Sequence, residues 1–448
     1  MKILFISLGC DKNLVDSEVM LGLLTKNGYT LTDDETQADV IVINTCCFIH
    51  DAKEESINTI LEMAQYKEQN LKALVVAGCL AERYKDEILK EIPEIDAVLG
   101  TTSYDSIVEA VNTALEENTG EHFEHYESID YLPDNSEVER VVTTGNHMAY
   151  LKIAEGCDKR CSYCIIPKIR GHFRSVPMEE LLNEAKRLAS EGVKELVLVA
   201  QETTLYGKDL TGEKQLPLLL HELCKIEGIE WIRLLYCYPE EITDELIKVI
   251  KTEEKVCNYI DMPIQHSENR ILQRMGRRTS REDLVAVIKK LRKEIPDITI
   301  RTTLITGFPG ESQEDHEGLM NFVEECQFDR LGVFTYSPEE DTLAATFEDQ
   351  IDEEVKEERR DELMSLQQEI SYEHTQQLVG KTIKVMVEGY LFEDDIYVGR
   401  SYMDAPKVDG CVFINSPEEL MTGDFVYVKI TQGREYDVIG EVDYEFTK

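Results

Sequence analysis

The sequence predicts an α/β protein in three parts: an N-terminal open parallel α/β sheet, a central partial or complete (βα) barrel, and a small antiparallel C-terminal β-barrel. Three observations predict this. Over the first 120 positions, short and nearly continuous apolar runs alternate with helical stretches, the pattern of strands buried on both faces and joined by crossover helices. A second series of strand–helix repeats, about six of them, fills positions 147–375. From Gly380 onward short alternating strands follow one another with no helix between them.

A chain of 448 residues, at roughly 150 per domain, suits this division. The expected parts are 1–120, a linker over 121–145, a barrel domain over 146–378 and a small β domain over 379–448. With 42% hydrophobic and 30% charged residues the composition suits a globular chain. No apolar run approaches the roughly 18 residues that span a bilayer. "MKILFISLGC" is too short and too poorly flanked for a secretion signal and reads as a buried strand. The expectation is a cytoplasmic protein without membrane attachment. In that compartment twelve cysteines are not a disulfide framework, so they divide between core positions and metal ligands. The chain carries 47 Lys and Arg against 89 Asp and Glu, a net charge of −42. That balance disfavours a phosphate-gripping surface and suits a basic partner.

In the first part the strands are "KILFISLGC", "ADVIVINTC" and "KALVVAGC", with helices in "DSEVMLGLLTKNG", stopped at Gly28, and "KEESINTILEMAQYKE". Each strand ends in a cysteine: Cys10, Cys46 and Cys79. Ligands of open parallel sheets sit beyond the carboxyl ends of the strands, and right-handed crossovers put those ends on one side. Three strand-end cysteines therefore point to a metal site. The polar stretch "GEHFEHYESIDYLPDNSEVERVVTTGNH", with Pro133, reads as the linker, and its His122 and His125 as exposed loop residues.

The barrel strands are "AYLKIAEGC", "VKELVLVAQ", "WIRLLYCY", "YIDMPIQ", "ITIRTTLITG" and "RLGVFTYS". Polar residues at their ends, Gln201, Glu202, Gln265 and His266, are expected at the active mouth. Positions 350–378 read as a long helix with a solvated charged face. The last part offers four strands, "KTIKVMVEGY", "DIYVGRSY", "GCVFIN" and "DFVYVKITQG".

"EGCDKRCSYCIIPKIRG" places Cys157, Cys161 and Cys164 within eight residues. A structural zinc site takes four ligands, and a four-iron cubane normally takes four thiolates. Three thiolates leave one iron open to a substrate. The competing reading is a zinc site with His172 as the fourth ligand.

The spacing Cys-x3-Cys-x2-Cys after the first barrel strand resembles that of the radical S-adenosylmethionine enzymes. Taken with three strand-end cysteines before it and a small β-barrel after it, the whole chain resembles the methylthiotransferases. The motifs are "SLGCDKNLVDSE", "INTC", "AGC", "EGCDKRCSYCIIP", "MPIQH", "RTTLITGFPGES" and "YSPEEDT", and the last domain resembles a TRAM module.

The resemblance implies S-adenosylmethionine bound to a 4Fe-4S cluster on Cys157, Cys161 and Cys164, and a second 4Fe-4S cluster on Cys10, Cys46 and Cys79. Two S-adenosylmethionine-dependent steps, a sulfur donor and an electron donor such as flavodoxin or ferredoxin follow from it. It puts Tyr163 near the adenine, Gln201 and Glu202 near the methionine amino group, and Ile305, Gly307 and Glu311 near the adenine again. Gly307 and Gly310 also fit as plain turn glycines. Gln265, Arg277 and Arg301 are expected in the cofactor or acceptor pocket, the arginines pairing with carboxylates.

Within the family, "GCDKNLVDSE" resembles the branch that methylthiolates the β-carbon of an aspartate in ribosomal small-subunit protein S-twelve. The other branch modifies adenosine in tRNA. Residues 380–448 hold seven Lys and Arg against fourteen Asp and Glu, which should repel phosphate, so direct tRNA binding is not expected. Cys47 stands where this branch usually has glycine; the "NTC" position favours Cys46 as the ligand. "AQETT" has glutamate where aspartate is common. The alternatives are a tRNA adenosine methylthiotransferase and a non-catalytic iron–sulfur or zinc protein.

Overall fold

The computed structural model describes residues 1–116, 122–136 and 138–445. Its first part is a six-stranded parallel sheet of β1 (Lys2–Ser7), β2 (Thr30–Leu31), β3 (Val40–Thr45), β4 (Ala73–Gly78), β5 (Ala97–Leu99) and β6 (Phe123–His125), in the order β2-β1-β3-β4-β5-β6. Every side chain of β3 and β4 is buried, as strands covered on both faces require. Helix α1 (Asp11–Lys26) follows β1, α2 (His50–Ala64) follows β3, and α3 (Cys79–Arg83) follows β4.

The stretch read as a linker does more than connect. Phe123–His125 pairs with β5 as an edge strand, too short to show alternation in sequence. Further on, the backbone N–H of Val141 donates to Glu18 O and that of Thr143 to Glu18 Oε1 at 2.7 Å, so this segment straps α1. It crosses at Gly22, where any Cβ would collide with the Glu139 carbonyl. Positions 121 and 137 of that linker, and 117–120 before it, lie outside the described residues.

The central part is a curved sheet of β7 (Met148–Lys152), β10 (Glu195–Val199), β11 (Trp231–Leu234), β12 (Tyr259–Asp261), β13 (Thr299–Thr306) and β14 (Arg330–Thr335), parallel throughout. A parallel bridge between Ile232 and Val256 joins its two halves. No pairing closes β14 onto β7 among the described residues, so this is a partial barrel. Between β7 and β10 a small antiparallel pair, β8 (Ala154–Glu155) and β9 (Arg174–Ser175), brackets the three-cysteine loop. Helix α4 (Glu353–Gln376) packs on the barrel through Leu363 and Ile370. Its charge is not all solvated: Lys356 Nζ donates to Tyr336 O at 2.9 Å, and Arg359 pairs with Glu311 at 2.9 Å.

The last part is a closed barrel of β15 (Thr382–Leu391), β16 (Ile396–Ser401), β17 (Val412–Asn415), β18 (Phe425–Gly433) and β19 (Val438–Val442), in the order β15-β16-β17-β19-β18. Two details differ from the expected four antiparallel strands. β19 is an additional five-residue strand, and it pairs in parallel with β17 because the chain crosses the barrel to β18 before turning back.

This barrel closes the N-terminal end of the central one. Met386 and Ala405 enter an apolar cluster with Met148, Val197 and Tyr259, and Trp231 meets Phe425 edge-on at 4.8 Å. Beneath them Glu195 is fully buried between two guanidinium groups, with Arg233 Nε at 2.8 Å and Arg400 Nη2 at 2.7 Å. The opposite end of the central barrel faces the first domain, with Lys12 over the Tyr236 ring and Arg83 paired with Glu339 at 3.1 Å.

Candidate active site

The register of the first sheet aligns Ser7 with Asn44 and Thr45 with Gly78, so β1, β3 and β4 end level. Their cysteines meet there. A Cβ on Gly9 would stand 2.6 Å from Cys46 Cβ, so the Cys10 loop lies directly on Cys46. Gly78 has φ +95° and faces Thr45 O, a combination that only glycine accepts before Cys79. Asn13 knits the three ends: Nδ2 donates to Leu8 O at 3.0 Å and Thr45 O at 2.9 Å, and Oδ1 lies 3.8 Å from Cys79 Sγ. Cys10 is exposed and caps α1, whereas Cys46 and Cys79 are buried. Burial pushes the thiols of Cys46 and Cys79 up, against the pull of Arg170. Cys47, adjacent to Cys46, is fully buried at the edge of the apolar core, where Arg83 engages its thiol and donates to its carbonyl at 3.0 Å.

The second triad lies between β8 and β9. Its loop is pinned by Cys157 N–H to Gly171 O at 3.1 Å and by Ser162 N–H to Met275 O at 2.9 Å. Cys157 and Cys161 are buried and Cys164 is partly so; burial pushes the Cys157 thiol up to about 12. Metal ions take such side chains as thiolates, so binding drives their protons off.

His172 is not a fourth ligand: it is exposed and bonded to Asp158 Oδ1 at 2.7 Å. Among the described residues no group of three or more His, Cys, Asp and Glu side chains is set to hold a single ion; thiolates on a four-iron cubane bind separate irons instead. His122 bonds Ile95 O at 2.7 Å and His125 faces Glu127 at 3.4 Å, so both serve the first sheet.

Around the second triad the sequence-predicted residues separate into two groups. Tyr163 packs with Ile305 and Phe308. Arg277 is buried over the Tyr238 ring at 4.4 Å, with Nη2 on Pro263 O and with Nε and Nη1 unpartnered. Gln265 Oε1, Gln201 Oε1, Glu202 Oε2, His266 Nε2 and Thr306 Oγ1 are also buried without hydrogen-bond partners. Native interiors leave few such atoms, so this concentration at one mouth fits a polar, charged ligand of the S-adenosylmethionine kind. Glu202 is pushed up to about 7 by burial, with Lys159 at 3.6 Å opposing the shift.

Arg301 and Gly307 stand apart from that group. Arg301 is engaged by Asp261 at 2.8 Å and Asp409 at 3.4 Å, which ties β13 to the C-terminal barrel. Gly307 (φ +68°) lies under the Lys356 side chain and gives its N–H to Glu311 Oε2 at 2.8 Å, a turn position.

Sequence reasoning missed what joins the triads. Arg170, fully buried, donates Nη2 to Cys79 Sγ at 3.4 Å and to Asn13 Oδ1, and Nη1 to Asp16 at 3.0 Å and Glu155 at 2.9 Å. Lys152 bonds the same two carboxylates, and Gln201 Nε2 reaches Glu155 Oε1 at 2.6 Å. A hydrogen-bonded chain thus runs from Cys79 of the first triad to the residue before Gly156–Cys157 and on to the strand end at Gln201. Charges placed beside strand-end cysteines, in "GCDKNLVDSE" and "PKIRG", were the available signal.

Three comparisons show which known proteins the chain is similar to. The chain matches the "Uncharacterized protein family UPF0004" over residues 2–100, the Radical SAM superfamily over 151–323 and the TRAM domain over 379–442. A protein of Lachnoclostridium phytofermentans named "Ribosomal protein uS12 methylthiotransferase RimO" is 62% identical, covering 99% of this chain and 100% of its own length. One of the same name from Acetivibrio thermocellus is 52% identical over 100% and 99%. Among solved structures, the radical S-adenosylmethionine methyltransferase TsrM of Kitasatospora setae superposes with a TM-score of 0.55 at 13% identity, over 86% of this chain and 78% of that one.

Proposed function

This chain belongs to the RimO family of radical S-adenosylmethionine methylthiotransferases, and we propose that it adds a methylthio group to the β-carbon of one aspartate of ribosomal protein S-twelve, in two S-adenosylmethionine-dependent steps with two 4Fe-4S clusters. The observation that supports the two-cluster reading is that two groups of three thiols are linked through Arg170, which bonds Cys79, and Glu155, two residues before Cys157. When bound, the clusters and S-adenosylmethionine supply the electron, the 5′-deoxyadenosyl radical and the sulfur to be transferred.

The remaining tasks fall to the chain. Cys157, Cys161 and Cys164 hold one cluster, and Cys10, Cys46 and Cys79 the other. Tyr163 gives an aromatic wall for the adenine, while Gln201, Glu202, Gln265 and Arg277 offer unpartnered polar atoms to the methionine end. Arg301 orients the pocket indirectly, through Asp261. Gly307, beneath Lys356, shapes the turn beside it. The C-terminal barrel keeps phosphate away and closes the far end of the pocket. An electron donor such as flavodoxin or ferredoxin and a sulfur donor complete the system. No helix among the described residues is long and apolar enough to cross a membrane.

Cys46 is the ligand of the adjacent pair in this reading: its side chain abuts the Cys10 loop, whereas the Cys47 thiol is engaged by Arg83. Cys47→Gly is expected to keep full iron, and Cys46→Ala to lose a cluster's share; iron analysis of the two reconstituted variants checks this.

The acceptor is tested directly. Reconstituted enzyme with reductant, sulfur donor and S-adenosylmethionine should add one methylthio group to an aspartate of protein S-twelve, read by mass spectrometry. The exposed run Glu393–Asp394–Asp395 at the β15–β16 turn is the acidic surface offered to that basic protein. Binding should therefore weaken as salt rises, and further in the double variant Asp394→Lys, Asp395→Lys. Modification of tRNA with protein S-twelve left untouched would overturn the assignment.

A further inference from the structure

Lys12 lies two residues after Cys10, yet its side chain is only 5% exposed and turns into the barrel mouth. Its Nζ stands 3.4 Å above the centre of the Tyr236 ring. The other buried lysines among the described residues each have a carboxylate: Lys152 has Asp16 and Glu155, Lys159 has Glu240 and Glu241, and Lys356 has Glu353. Among the described residues Lys12 has no carboxylate within ion-pair distance, although Asp11 and Cys10 attract it from further off. Those nearby are committed elsewhere. Asp11 accepts from the Tyr236 hydroxyl at 3.4 Å, and Asp261 accepts from Arg301 and from the Tyr236 backbone N–H at 2.9 Å. Burying an ammonium is costly unless an anion meets it. The ring face of Tyr236, a side-chain hydrogen bond with the same residue and the charge of Asp11 compensate in part, and none of them is an ion pair.

Tyr236 is itself held in an uncommon conformation. Its φ is +60°, fixed by the bond to Asp261 and by Thr203 N–H donating to its carbonyl at 3.1 Å. Such strain persists in a non-glycine residue only where the surroundings determine it, and it gathers at functional sites. Two residues on, Tyr238 is covered by Arg277, next to Gly276, whose Cβ would lie 3.7 Å from Cys161 Cα. The end of β11 therefore presents one tyrosine toward each triad, and Lys12 enters from the Cys10 side.

We propose that the Lys12 ammonium receives the side-chain carboxylate of the acceptor aspartate and so selects a carboxylate-bearing residue over an amide or a nucleobase. The proposal rests on the reading of protein S-twelve as acceptor. Its chemistry is specific to that reading: the β-carbon is bonded to the carboxylate carbon, so fixing the carboxylate fixes the carbon to be modified. No comparable anion exists on an adenine ring.

The test uses reconstituted enzyme, wild type, Lys12→Met and Lys12→Arg, with protein S-twelve and with S-twelve carrying asparagine in place of the modified aspartate. Iron content, equilibrium binding of both S-twelve forms, and KM and kcat for the aspartate form are measured. Wild type should bind the aspartate form roughly 10- to 100-fold more tightly than the asparagine form, the range of one charge-assisted hydrogen bond. Lys12→Met should keep its iron, lose that preference and show the raised KM, and Lys12→Arg should restore much of the preference. Retention of the preference by Lys12→Met, in an assay where wild type modifies S-twelve, overturns this assignment alone. Loss of iron in Lys12→Met also overturns it, by giving the ammonium to the cluster. A wild type that leaves S-twelve unmodified sinks the acceptor reading, and the Lys12 assignment with it.

Discussion

Replacing Cys157, Cys161 and Cys164 together with alanine is expected to remove about half of the reconstituted iron, out of about eight atoms in two cubanes, and to abolish formation of 5′-deoxyadenosine. Replacing Cys10, Cys46 and Cys79 should remove the other half and spare that formation, while ending methylthiolation. The asymmetry follows from the surroundings of each triad. The unpartnered polar atoms of Gln265, Arg277 and Glu202 gather about the second triad, with Tyr163 and Ile305 beside it. The first triad instead faces Asn13, Arg170 and Lys12. Iron and sulfide analysis with chromatography of the nucleoside products separates the outcomes. Full iron in either triple variant would refute the two-site arrangement, and 5′-deoxyadenosine from the Cys157, Cys161 and Cys164 variant would refute its division of labour.

The second large effect is on stability and concerns Glu195. Its carboxylate is shared by Arg233 and Arg400 in a fully buried cluster between the central and C-terminal barrels. Removing one member of a buried ion pair costs about 3–5 kcal/mol, because the charge left behind has no partner. Glu195→Ala strands Arg233, which has no other carboxylate partner among the described residues, and should lower stability by that order in urea unfolding. The same group sets an acid limit. Arg400 and Arg233, overcoming burial, hold Glu195 at about 2, below its ordinary 4.5. A carboxylate with a depressed folded value adds stability that is complete above its unfolded value and is lost as pH falls through the folded one. The loss here belongs between about pH 4.5 and 2 and amounts to about 3 kcal/mol. Glu195→Gln should be less stable at neutral pH and show a shallower decline over that window. Equal slopes for variant and wild type would refute this origin of the acid sensitivity.

Much of the architecture was legible because local pattern reports it. Continuous apolar runs named β1, β3 and β4, and the cysteine closing each run named the edge where they meet. Three thiols in eight residues, with bracketing glycines, named the second site. Short elements were less legible. β6 has three residues and β19 five, and neither carries enough alternation to stand out from "HFEHYES" or "REYDVIGEV". Arg301 shows the limit for single side chains. The sequence puts it in the cofactor or acceptor pocket, pairing with a ligand carboxylate, but the carboxylates at its guanidinium are Asp261 and, from another domain, Asp409.

The sequence by itself determined the order of the three parts, the two cysteine triads and the acidic surface, since each is written in neighbouring residues. The tertiary structure alone decided which triad gathers the unpartnered polar atoms, that Arg170 joins Cys79 to Glu155, and that Lys12 lies buried on Tyr236 without an ion-pair partner. Those facts depend on residues up to 224 positions apart, as Lys12 and Tyr236 are. Burial of a charge, and the presence or absence of a partner for it, are properties of the packed interior and have no local signature.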